Sequence, residues 1–146
     1  MKISDLLAME LGESVSVANE PFTKIGQAEI TLDDGTTMFW LYDDEDNMLS
    51  VAPKEDEIVL FHQITEEIEP SEVILFQNKE YEFSYEDAGV VKQVDGDALL
   101  EEEDRNGFSD YQSKDGETLR VITNENTGEA ASYFGRVVAE DDLSEI

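Results

Sequence analysis

Cysteine is absent from this chain, basic residues are scarce and histidine occurs once. Without cysteine there is no disulfide, no thiolate metal site and no thiol nucleophile. Nine Lys and Arg face 37 Asp and Glu over 146 residues, a formal net charge of −28 at pH 7. No acidic tail carries the imbalance, because residues 1–50, 51–100 and 101–146 hold −9, −10 and −9 in turn. A coat of that kind repels nucleic acid and anionic lipid, polyanions whose binding relies on Lys and Arg displacing counterions. DNA, RNA and anionic membranes are therefore poor partners. No stretch approaches the ~20 apolar residues of a membrane span. Met1-Lys2-Ile3-Ser4-Asp5 lacks the basic region and apolar run of a signal peptide, and the expected location is cytoplasmic.

What is present suffices for a core. Hydrophobic residues make up 40% of the chain, and about 150 residues can bury about 68–70% of their unfolded surface in one domain. The expectation is a single acidic, β-rich domain over 1–146. Ile3, Leu6, Leu7 and Leu11 recur near helical spacing, with Ser4 or Asp5 as cap and Gly12 as stop, which predicts one short N-terminal helix. Beyond it the punctuation is that of an antiparallel meander. Asp34-Gly35, Asp95-Gly96, Asn106-Gly107 and Asp115-Gly116 all suit tight hairpin turns. About ten strands between these signals predict a mainly β fold of meander or barrel-like sheets.

Met38–Tyr42, Ile58–Phe61 and Val73–Phe76 are continuously apolar, as strands covered on both faces are. Glu80 to Glu86 alternates strictly, placing Tyr81, Phe83 and Tyr85 on one face and acid or serine on the other. Ala98–Arg105 reads equally as a helical turn or a solvated loop. Halves 12–68 and 72–146 echo one another. Trp40-Leu41-Tyr42 precedes Leu49-Ser50-Val51 as Asp110-Tyr111 precedes Leu119-Arg120-Val121, and Phe61-His62-Gln63-Ile64 echoes Phe134-Gly135-Arg136-Val137. Two related β units and chance likeness between aromatic strands both account for this.

The order Phe76, Lys79, Tyr81, Ala88-Gly89-Val90, Val94-Asp95-Gly96, Asp110-Tyr111, Gly116, Leu119 and Gly135-Arg136-Val137 resembles the bacterial domain of unknown function 4178 family. Leu11-Gly12-Glu13-Ser14-Val15, Trp40, Tyr42 and Leu49 extend the resemblance to the first half. It implies a small accessory β domain, of a kind associated with stress-response or envelope-maintenance genes, and supplies no catalytic residues. The chain departs from the family pattern at Arg120, where an acidic residue often follows the leucine.

Candidate sites are few. His62 lies in an apolar strand, its alternation pairing it with Leu60 and Ile64 opposite Phe61 and Gln63, and no nucleophile can be matched to it. Ser84 and Ser109 lack a strained glycine-flanked elbow. The run Asp43-Asp44-Glu45-Asp46-Asn47 makes Asp43, Asp44 and Asp46 weak candidate ligands for a divalent cation. Yet an EF-hand register from Asp43 puts Met48 where glycine belongs and Lys54 where glutamate belongs, and one from Asp104 puts Phe108 at a ligand position. Glu101, Glu102 and Glu103 are the weak candidates for contact with a partner. The leading expectation is a non-catalytic interaction domain with no cofactor, binding a basic protein partner. Rivals are a divalent-cation or small-ligand binder and, behind them, a carboxylate-based hydrolase. Nothing in the sequence sets the oligomeric state.

Overall fold

The computed structural model describes residues 1–146 and is mainly β, as expected. Helix α1 (Ile3–Ala8) precedes β1 (Ser14–Val17), β2 (Glu20–Thr23), β3 (Gly26–Leu32), β4 (Thr37–Tyr42), β5 (Asn47–Ala52) and β6 (Glu57–Ile64). Then follow β7 (Val73–Phe76), β8 (Lys79–Gly96), β9 (Arg105–Gln112), β10 (Glu117–Asn124), β11 (Ala130–Val138) and β12 (Leu143–Glu145). Strands β3-β4-β5-β6-β11-β10-β9-β8 form a continuous antiparallel sheet, and β3 pairs with β8 to close it into an eight-stranded barrel. Strand β7 adds a short arm beyond β8. No helix is long and apolar enough to cross a membrane.

The barrel consists of two four-stranded meanders, β3–β6 and β8–β11, joined edge to edge at β6–β11 and β3–β8. The echoed sequence segments occupy corresponding strands: the β4–β5 hairpin answers the β9–β10 hairpin, and β6 answers β11. Even the hairpin ends agree. Asp43 N–H donates to Asn47 O, and Ser113 N–H donates to Glu117 O. At the β6–β11 seam a Cβ on Gly135 would collide with the Leu60 carbonyl, so this position admits only glycine.

Three apolar clusters hold these parts together. Trp40, Met48, Phe61, Phe108 and Tyr133 fill the barrel interior. On the outside, Leu41, Leu49 and Leu60 pack beneath α1 and the small β12-β1-β2 sheet through Ile3, Leu6, Val15 and Phe22. This cover makes β4 and β6 apolar on both faces. Lys24 fastens the cover by donating from Nζ to the last carbonyls of α1, Leu7 O at 3.1 Å and Met9 O at 2.8 Å, where a cation also meets the negative helix end. A third cluster of Ile74, Phe76, Tyr81, Tyr111 and Leu119 seats the β7 arm on the opposite flank.

Several expectations are corrected. Asn106-Gly107 is no hairpin turn but lies within β9, where Asn106 pairs with Gly89 and Asn124. Asp95-Gly96 ends β8 and pairs back to β3. Glu80–Glu86 and Val90–Val94 belong to one 18-residue strand. Its aromatic face is broken at Ser84, where a register shift sets Phe83 opposite Tyr111 and Tyr85 opposite Asp110, with both rings partly exposed. Strand β7 is covered on one face only, since Ile74 and Phe76 are buried while Val73 and Leu75 are exposed. Of the two readings of Ala98–Arg105, the loop is the one found, with Arg105 already in β9.

Candidate functional site

The most concentrated polar arrangement lies inside the barrel, around Arg120. Arg120 is fully buried; its Nε and Nη2 donate to Asp110 Oδ1 and Oδ2 at 2.7 and 2.8 Å, and its Nη1 donates to Ser50 Oγ at 2.7 Å. Phe108 and Phe61 cover the guanidinium, their ring centres 4.5 and 4.8 Å from its carbon. Burial works against the Arg120 charge, but Asp110 more than offsets it and its pKa stays above the ordinary arginine value. A bidentate pair so enclosed, its two side chains 0% and 6% exposed, is out of reach of a substrate in solution. The arrangement braces the barrel.

His62 stands on the outer face, as its alternation indicates. Its Nδ1 meets the Asn47 side-chain oxygen and its Nε2 lies 3.7 Å from Glu20 Oε2. Imidazole thus ties β6 to β5 and β2, with no hydroxyl or thiol nucleophile among these contacts.

The Asp43 candidate is consumed locally. Its Oδ1 accepts the N–H groups of Glu45 and Asn47 at 2.9 Å, and its Oδ2 accepts Asn47 Nδ2 at 2.8 Å, so the side chain shapes the β4–β5 turn. Asp44 and Asp46 are exposed at the same tip, and no three His, Asp or Glu side chains converge as a metal set. Glu101, Glu102 and Glu103 are exposed on the loop between β8 and β9, where Glu102 Oε2 accepts Val94 N–H at 3.0 Å. The structure brings this loop to the barrel end that carries Asp43–Asp46: Asp43, Asp44, Asp46, Asp97 and Leu99 line one hollow of about 340 Å³.

A different surface was hidden in the sequence by the apolar run at β7. Hairpin β7–β8 is closed through Phe76↔Lys79 by Gln77 and Asn78, both with positive φ, and Phe83 N–H donates to Glu72 O at 2.9 Å. Hydrogen-bonded pairs alternate along an antiparallel ladder, so Ile74↔Tyr81 is bonded and the N–H and C=O groups of Val73 and Leu75 point away from β8. No strand takes them up, because β7 ends the sheet. Val73 and Leu75 are 48% and 70% exposed, and Glu80 and Glu82 lie directly across from them on the same face. Glu66, Glu67, Glu69 and Glu72 precede the strand, all exposed. Lys79, the base beside it, is already held by Asp115 and Glu117.

Fold and surfaces together define a closed antiparallel barrel with a braced interior, an acidic exterior and one apolar free edge. Compared with protein-family models, curated proteins and solved structures, the chain matches none.

Proposed function

We propose that the protein is a non-catalytic interaction domain of the cytoplasm, and that it binds a basic protein partner by adding an extended segment of that partner to β7. The observation that carries this reading is the open edge of β7, with free backbone groups at Val73 and Leu75 set among uncompensated glutamates. An unprotected edge is a hazard that proteins blunt with lysine, proline or a covering element. This one has none of the three. A strand alternating lysine with valine complements it: its backbone pairs with β7, its apolar side chains meet Val73 and Leu75 on one face, and its cations project from the other face, where Glu72 lies. Kinship with the domain of unknown function 4178 family belongs to the same proposal.

The test is a titration with a short peptide of alternating Lys and Val, repeated on Leu75→Pro. Proline there removes an outward N–H while sparing the β7–β8 ladder. Saturable binding that weakens about tenfold or more in Leu75→Pro supports the reading. Equal binding to both proteins contradicts it.

A further inference from the structure

Asn106 is 1% exposed, and neither its Nδ2 nor its Oδ1 has a hydrogen-bonding partner. Its side chain faces inward, two residues before Phe108 on the same face of β9, and it lines a cavity of about 260 Å³ at the barrel mouth. Tyr42, Gln63, Ile122, Ala131 and Tyr133 form the walls, and Leu99–Leu100 of the 97–104 loop close the top. The larger surface hollows, along β8–β10 and between α1 and β12, contain no orphaned polar side chain.

The fold gains nothing from an amide here. A leucine of similar size would pack against Ile122 and Phe108 without leaving a buried donor and acceptor unsatisfied, a condition proteins avoid. The neighbouring asparagine shows the contrast. Asn124 pairs with Asn106 across the ladder, and its amide is engaged at both ends, donating to Asp104 and accepting from Asn126 and Thr127. A largely apolar pocket with a few converging polar groups is the usual form of a small-molecule site, and the mouth of an eight-stranded barrel is a common place for one.

The geometry points to a binding site for a small, planar, uncharged molecule whose edge carries a hydrogen-bond acceptor beside a donor, read by the Nδ2 and Oδ1 of Asn106. Asn presents those two groups side by side, so a ligand edge offering both satisfies both at once. Tyr42 and Tyr133 supply aromatic wall, which favours a flat ring. Anions are disfavoured, because Glu129 lines the cavity and Asp43, Asp46 and Asp97 line the adjoining hollow that shares Tyr42, Gln63, Leu99 and Tyr133. The site goes beyond the β7 edge and does not depend on it.

Three probes test this on the full chain by NMR: nicotinamide and adenine, which carry the required edge, and nicotinate, which replaces the amide with a carboxylate. Nicotinamide or adenine should shift the Asn106 side-chain NH₂ resonances saturably, and nicotinate should leave them in place. Asn106→Leu should abolish binding and raise the melting temperature of the free protein. Ala131→Leu, which fills the cavity from the opposite wall and keeps Asn106, should abolish binding as well and serves if Asn106→Leu does not fold. Three results would each overturn the inference: no shift with nicotinamide or adenine up to their solubility, nicotinate binding as well as nicotinamide, or binding that persists in Ala131→Leu. The first would leave Asn106 to water alone.

Discussion

Arg120 donates from Nη1 to Ser50 Oγ at 2.7 Å across the barrel interior, joining residues 70 positions apart that stand at matching places in the two meanders. One half contributes a cation and its carboxylate at Arg120 and Asp110, where the other contributes Ser50 and Trp40 at the corresponding positions. Halves built alike are thus made to fit each other by unlike residues. The pair is so enclosed that its charge can serve only the inside of the fold.

Breaking that pair on one side should be costly. Arg120→Met leaves the Asp110 carboxylate buried without its guanidinium, for an expected loss of about 3–5 kcal/mol. Adding Asp110→Leu removes the stranded charge and should restore most of the stability. Urea unfolding of the single and double variants measures both. A double variant as unstable as the sum of the two singles would contradict the assignment.

Trp40 is fully buried and stands edge-on to Phe108 at 5.8 Å. Its emission should be blue-shifted and shielded from iodide, and Trp40→Ala should cost about 3–5 kcal/mol. Solvent-like emission from the native protein would place the ring outside the barrel and refute the packing.

Alkali should open the fold. Burial pushes Tyr133 up to about 12 from an ordinary 10 and holds Tyr42 well above that value. Phenols raised in the folded state ionise first in the unfolded chain. Their contribution is therefore complete below pH 10 and is lost as the pH climbs toward 12. Phenolate absorbance should rise together with exposure of Trp40. Phenolate forming while Trp40 emission stays native would show these tyrosines to be accessible.

Salt should act in the opposite sense. With a net charge of −28, raising ionic strength from ~0.01 to ~0.15 M shortens the Debye length from roughly 30 to 8 Å and relieves self-repulsion. The melting temperature should climb across that range. A flat curve would mean that the acids are locally compensated.

The barrel was legible where residue pattern and burial coincide. Met38–Tyr42 and Ile58–Phe61 read as strands covered on both faces, and they are, between the Trp40 cluster and the α1 sheet. Val73–Phe76 has the same composition yet one open face, because a run of apolar residues does not say whether a neighbour covers it. Asn106-Gly107 carried a turn signal that lost to register, since pairing with Gly89 and Asn124 keeps β9 extended through it. Strands β1, β2 and β12 are too short to show a period. As for sites, acid density drew attention to Asp43, whose carboxylate is spent on its own turn, and to Glu101–Glu103. Asn106 gave no signal, because an orphaned amide is visible only once its surroundings are. The acids on both sides of Val73 and Leu75 were the one available clue to the β7 edge.

Backbone amide exchange at Val73 and Leu75 tests the central claim most directly. Their N–H groups face solvent in the free protein, so they should exchange quickly while those of Ile74 and Tyr81, paired across the ladder, exchange slowly. When the alternating Lys and Val peptide binds, protection should appear at Val73 and Leu75 and fade as salt is raised. Binding that protects neither amide would show that the partner docks elsewhere and that β7 is not the interaction edge, and protection that ignores salt would show that the glutamates take no part in it.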